Sequence, residues 1–332
     1  MPHLATIAAL AILTLVAHAG PLTPPAGPPT STDTALRQTD PRIPIGPDTT
    51  PGDADSVYRI TAPGSYYLTE NLTARASRHG IEIASNAVTI DLNGFSLLGL
   101  VFPPGQSLNG ITTDGTRTNI TIRNGHTLAW GSNGIDLGDA NSVLIENVTA
   151  ESNLGNGINA NRAVITQCVA RGNAASGFAG NGVAVDCVAV ENDIRGFTWT
   201  GTISTCLAAD NDGAGFSIFG AIDRSTARTN GDDGFVVFGG SIESCLAEFN
   251  EGDGVVVITD TRVFGNTARQ NTQNGFVINA SNAFTAGNTS ISNTGIGFLV
   301  LGTDTLTIRN VAGDNGAAAY TFGSSATHGD TL

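Results

Sequence analysis

Three stretches of this chain share one skeleton: CVARGNAASGF (168–178), CVAVENDIRGF (187–197) and CLAADNDGAGF (206–216), spaced nineteen residues apart. A short fixed period constrains a fold strongly, because each repeat is a unit that cannot bury its apolar face alone. A Gly before an apolar residue extends the period: Gly80, Gly110, Gly134, Gly157, Gly177, Gly196, Gly215, Gly234, Gly254, Gly275 and Gly297. From Gly134 the steps are 23, 20, 19, 19, 19, 20, 21 and 22 residues, and Ala319 lies 22 further on. The spacing predicts about twelve turns of one solenoid, not two domains.

Columns inside the repeat are tighter than the period. With Cys168 as position zero, its equivalents are Cys187, Cys206, Ser225, Cys245, Asn266, Asn288 and Asn310. Position +2 is Ala in seven of these eight turns and Ser290 in the other, and position +5 is Asn in all eight, Asn173 to Asn315. Position +10 is Phe178, Phe197, Phe216, Phe235, Val255, Phe276, Phe298 and Tyr320. Zero and +2 on one side describe strand alternation around a narrow interior. The Asn column predicts the sharp bend, since Asn tolerates the left-handed conformation, and amides that bond from turn to turn. The Phe column predicts an internal pile of rings, with each Asn contributing less to stability than each ring. Asn147 and Asn288, both in glycosylation sequons, are expected in the interior column.

Helical periodicity is absent. A leucine-rich repeat needs recurring Leu, a hexapeptide helix needs multiples of six, and no nine-residue period surrounds GDDGF (231–235). The fold class expected is all-β, a single right-handed parallel β-helix. YRITAPGSYYLTENL (58–72), NAVTIDLNGFSLLG (86–99) and the Gly-Phe/Asn turns resemble the right-handed parallel β-helix proteins of the pectin-lyase-like superfamily, over residues 56–332. That resemblance implies the fold. It leaves activity open, because the superfamily holds pectate lyases, polygalacturonases, other polysaccharide lyases and proteins with no assigned reaction.

Residues 1–19 form an apolar run ending Ala17-His18-Ala19, the pattern of a secretory signal peptide. Residues 20–55 are rich in Pro, Thr and Gly, as in an extended linker. The expected location is secreted, periplasmic or cell-surface, with no membrane span in the mature chain and a monomeric state. All 15 cationic residues are Arg, and the net charge of −14 argues against nucleic acid as a partner. It also disfavours polyanionic sugars unless a cation bridges.

The four Cys share one interior column, so they are expected as buried free thiols. With Ser225 between them, Cys206 and Cys245 lie about 9.6 Å apart, beyond the roughly 7 Å limit of a disulfide.

Catalytic candidates are sparse. Gly231, Asp232 and Asp233 match the Gly-Asp-Asp piece that a polygalacturonase resemblance implies, but the only His after His126 is His328, and Lys is absent. For a lyase, Arg195 is the best-placed cation. Asp233 and Asp253 fall at one position of adjacent repeats, which suits a Ca²⁺ held by hard oxygen ligands. Alternation turns Phe219 and Phe238 outward as an aromatic platform for sugar rings, with Asp212 beside them. The turns are short, and LLGLVFPPGQSLN (97–109) is the one long insertion. The sequence therefore favours polysaccharide or cell-surface glycan binding, or a structural surface role, over catalysis. A polysaccharide lyase or glycoside hydrolase is the alternative.

Overall fold

The computed structural model describes residues 41–100 and 108–323. The leader expected over 1–19, most of the linker over 20–55 and the centre of the 97–109 insertion lie outside the described residues. The packed unit begins at Arg42, earlier than the expected start at 56. Ile43–Pro44 already pairs with Tyr66 and Tyr67, and Ile45 is buried.

The unit is a right-handed parallel β-helix of about 13 turns with no helix among the described residues. Each turn has three sides. In a central turn the chain runs along a first face (Phe197–Thr200), a second (Thr202–Ser204) and a third (Leu207–Ala209), and every face pairs in parallel with its counterpart one turn on. Among the described residues no helix is long and apolar enough to cross a membrane.

The interior columns fall where the sequence puts them. Phe178, Phe197, Phe216 and Phe235 are fully buried and stack with centroids 4.8, 4.8 and 4.9 Å apart. Val255 interrupts the pile, and Phe276, Phe298 and Tyr320 resume it. The +5 amides form an unbroken ladder from Asn153 to Asn315. In each step Nδ2 donates to the next Oδ1 at 2.8–3.0 Å. The same Oδ1 accepts the backbone N–H of the preceding Asn, and the second Nδ2 hydrogen reaches a carbonyl of the turn before, as from Asn211 to Ala189. Every polar atom of these buried side chains is thereby satisfied. Asn266, Asn288 and Asn310 build a shorter second ladder at position zero.

Two expectations are corrected. The left-handed bend lies one residue before each ladder Asn, at Glu191 (φ 57°), Asp210 (54°), Thr229 (51°), Phe249 (58°) and their equivalents. The Asn itself is the brace, not the hinge. A second left-handed residue precedes position zero, as at Asp186 (φ 53°) and Thr205 (53°). For the same reason Asn147 (φ 53°) is exposed, and Val148 takes the interior place, while Asn288 is fully buried as expected.

Between the first and second faces the central strands kink at Gly182, Gly201, Gly220 and Gly240. A Cβ on Gly201 (φ 129°) would fall 2.2 Å from the Gly182 carbonyl oxygen, so no larger residue fits without displacing backbone. Cys168, Cys187, Cys206 and Cys245 are buried and free. Burial pushes the Cys245 thiol up to about 12, so it stays protonated.

Candidate functional site

On the first face, side chains alternate between core and solvent. Trp199 and Ile218 point in, while Thr198, Thr200, Ser217 and Phe219 point out. Phe219, 60% exposed, is the most exposed large hydrophobic residue described, and Phe238, 38% exposed, lies one turn on. A β-bulge brings the second ring into place. Val237 still pairs with Ile218, but Gly240 rather than Gly239 pairs with Gly220, so Phe238 and Gly239 together face Phe219. The two rings, Thr198, Thr200 and Ser217 line an open groove of about 300 Å³ that carries no charged side chain. Thr259 Oγ1 donates to the Phe238 carbonyl at 2.6 Å and fixes the bulge.

Asp212 is not part of this groove. It is exposed in the turn on the far side of the corner, in a separate depression with Asp210, Thr229 and Glu251. The residue between, Ala214, belongs to a column that the sequence reading did not recognise: the position before each marker Gly. In this column a side-chain atom accepts the backbone N–H one turn on. His79 Nδ1 accepts from Asn109 at 3.1 Å, Asn109 Oδ1 from Asn133 at 3.0 Å, Asn133 Oδ1 from Asn156 at 2.7 Å, and Asn156 Oδ1 from Ser176 at 3.1 Å.

Asp233 and Asp253 occupy this corner column. Asp233 Oδ1 accepts the Asp253 N–H at 2.7 Å, and Asp253 Oδ1 accepts the N–H and Nδ2 of Asn274 at 2.7 and 2.9 Å. The carboxylates do stack on adjacent turns, but each is aimed at a backbone donor, in the role that Asn133, Asn156 and Asn274 fill elsewhere. That gives each carboxylate a structural role of its own. Among the described residues no group of three or more His, Cys, Asp or Glu side chains could hold a metal ion. Desolvation pushes the Asp233 carboxyl up to about 6 and raises that of Asp253.

Arg195 stands in the same column. Successive N–H···O bonds from Gly196 to Ala214 and from Gly215 to Asp233 set it two turns from Asp233, about 10 Å along the axis. It is exposed and makes no ion pair with any described residue. Asp232 is exposed beside Asp233. Arg195, Asp232 and Asp233 are therefore not gathered into one acid/base set.

A second depression on the first face, of about 370 Å³, was missed in the sequence. It centres on Asp136, with Thr112, Thr113, Asp139, Asn159 and Asn161 around it. The signal available was weak: its residues come from three early turns whose steps are irregular.

A family model described as "Right handed beta helix region" matches residues 60–202. No curated protein matches the chain. Among solved structures, the chain is similar to the A-module of the Azotobacter vinelandii mannuronan C-5 epimerase AlgE6. Identity is 17% and the TM-score 0.55, covering 82% of this chain and 91% of that one. The A-module of AlgE4 from the same organism is similar at 16% identity and a TM-score of 0.53, covering 81% and 91%.

Proposed function

We propose that this chain, a right-handed parallel β-helix of the pectin-lyase-like superfamily, binds polysaccharide outside the cytoplasm through its first face, without cleaving it. The observation that carries this reading is the exposed Phe219–Phe238 pair over an uncharged groove. Rings held rigidly in solvent lose the hydrophobic effect unless something covers them, and the apolar face of a sugar ring is a fitting cover. Parallel turns repeat about every 4.8 Å along the axis, which suits a linear polymer. The apolar run at 1–19 supports export, and structures sharing the fold include epimerases named for mannuronan.

Affinity electrophoresis in gels cast with individual polysaccharides, with Ca²⁺ or with chelator, tests the reading. At least one polymer retards the wild type, and Phe219→Ala/Phe238→Ala abolishes the retardation. Equal mobility of the two proteins on every polymer contradicts it. A second reading, a lyase or hydrolase, draws on Asp233, whose raised carboxyl pKa falls where a general acid operates. New reducing ends or unsaturated products from wild type, lost in Asp233→Asn or Arg195→Ala, would favour it.

A further inference from the structure

The first face carries a second anchor whose chemistry narrows the ligand. One outward column runs in register through Arg59, Glu82, Thr112, Asp136, Asn159, Ala179, Thr198 and Ser217. It leads from the Asp136 depression to the aromatic groove. Asp136 is fixed by two amides: Asn159 Nδ2 donates to its Oδ1 at 2.8 Å and Asn109 Nδ2 to its Oδ2 at 3.1 Å. Oδ1 also accepts the Gly138 N–H at 3.4 Å, so Oδ2 is the oxygen that keeps a lone pair for a donor arriving from solvent.

No Arg stands in this column beyond Arg59, and Arg59 is committed to Asp53, Glu82 and Asp114. The half-buried imidazole of His79 is pushed down by desolvation, towards its neutral form. Asp136 is thus a positioned acceptor with no cation to neutralise it, beside the exposed Asp139. Such a site accepts sugar hydroxyls in charge-assisted hydrogen bonds and repels a uronate carboxylate.

We infer that the first face binds a neutral polysaccharide lying along the solenoid axis, with a hydroxyl of one sugar on Asp136 Oδ2 and another ring on Phe219 and Phe238. This rests on the proposed role of the aromatic groove and adds the ligand class and the second anchor. Four turns separate Asp136 from Phe219, about 19 Å at about 4.8 Å per turn. An oligosaccharide can engage both anchors and gains from their linkage, whereas a monosaccharide reaches only one.

Calorimetric titration with neutral hexasaccharides (gluco-, xylo- and manno-), with hexamers of galacturonate and mannuronate, and with the monosaccharides tests this. A neutral hexamer binds with an affinity insensitive to salt. Asp136→Asn, checked by thermal melting to be folded, weakens it about tenfold, as for one charge-assisted hydrogen bond. The monosaccharide binds far more weakly. If only the uronate hexamers bind, or if Asp136→Asn leaves the affinity unchanged while Phe219→Ala/Phe238→Ala removes it, the ligand class or the second anchor is wrong and the groove reading stands. If the Phe variant has no effect on any ligand, both fall.

Discussion

At the scale of single residues, the ladder Asn outranks the expectation that it matters less than the ring. Phe216→Ala leaves a cavity in a closed stack and is expected to cost about 3–5 kcal/mol. Asn211→Ala strips the Asn192 backbone N–H and Nδ2 of their acceptor and leaves the Ala189 carbonyl without its side-chain donor. Each orphaned buried group costs about 1–3 kcal/mol, so the total is comparable to loss of the ring. Denaturant melts of the two variants check this: a loss in Asn211→Ala well below that in Phe216→Ala contradicts it. The left-handed residues carry the opposite sign. Gln270 (φ 55°) is exposed, and the equivalent position five repeats earlier is Gly172, the one Gly in the series from Gly172 to Asp314. Gln270→Gly should therefore raise stability by up to about 1 kcal/mol, by relieving the strain that a Cβ meets there.

At the scale of elements, the corner column makes stability pH-dependent. The folded-state pKa of Asp233 lies above its unfolded value of 3.8, so protonation favours the fold. Stability declines as pH rises from near 4 through about 6, and on this account the melting temperature increases when pH is lowered from about 7 to about 5. Asp233→Asn, which copies Asn133 and Asn274, should flatten that dependence and raise stability at neutral pH; an unchanged profile would show that Asp233 does not set it. The glycine kinks make a second prediction. Gly201→Ala meets the Gly182 carbonyl and should destabilise by about 1–3 kcal/mol or more in the same melts. The interior columns were legible because they recur with fixed chemistry. The bends were not, since Glu, Asp, Thr, Phe and Gln all occupy them and no residue type announces a left-handed backbone braced by its neighbour. The corner column stayed hidden for a like reason. Asn, Ser, Arg, Ala and Asp alternate there, and only the hydrogen-bond geometry shows that Asp233 and Asp253 do what Asn133 does.

At the scale of the whole molecule, two of the faces and the turns between them offer different chemistry to a partner. The third face carries ion pairs such as Arg171–Glu191 and Arg269–Glu248, the turns between faces carry Asp210, Asp212 and Glu251, and the first face carries the neutral aromatic groove. Alternation in the sequence turned Phe219 and Phe238 outward, but the bulge that brings them together and the distance of Asp212 from them needed the register of neighbouring turns. The claim that the groove holds polysaccharide is tested most directly by amide chemical-shift mapping during titration with an oligosaccharide of whichever polymer retards the protein. The account predicts shifts confined to the first face, centred on Thr198, Thr200, Ser217, Phe219 and Phe238. Shifts centred on Leu207–Ala209 and Thr226–Arg228 of the third face, or on the turn around Asp210 and Glu251, would contradict it.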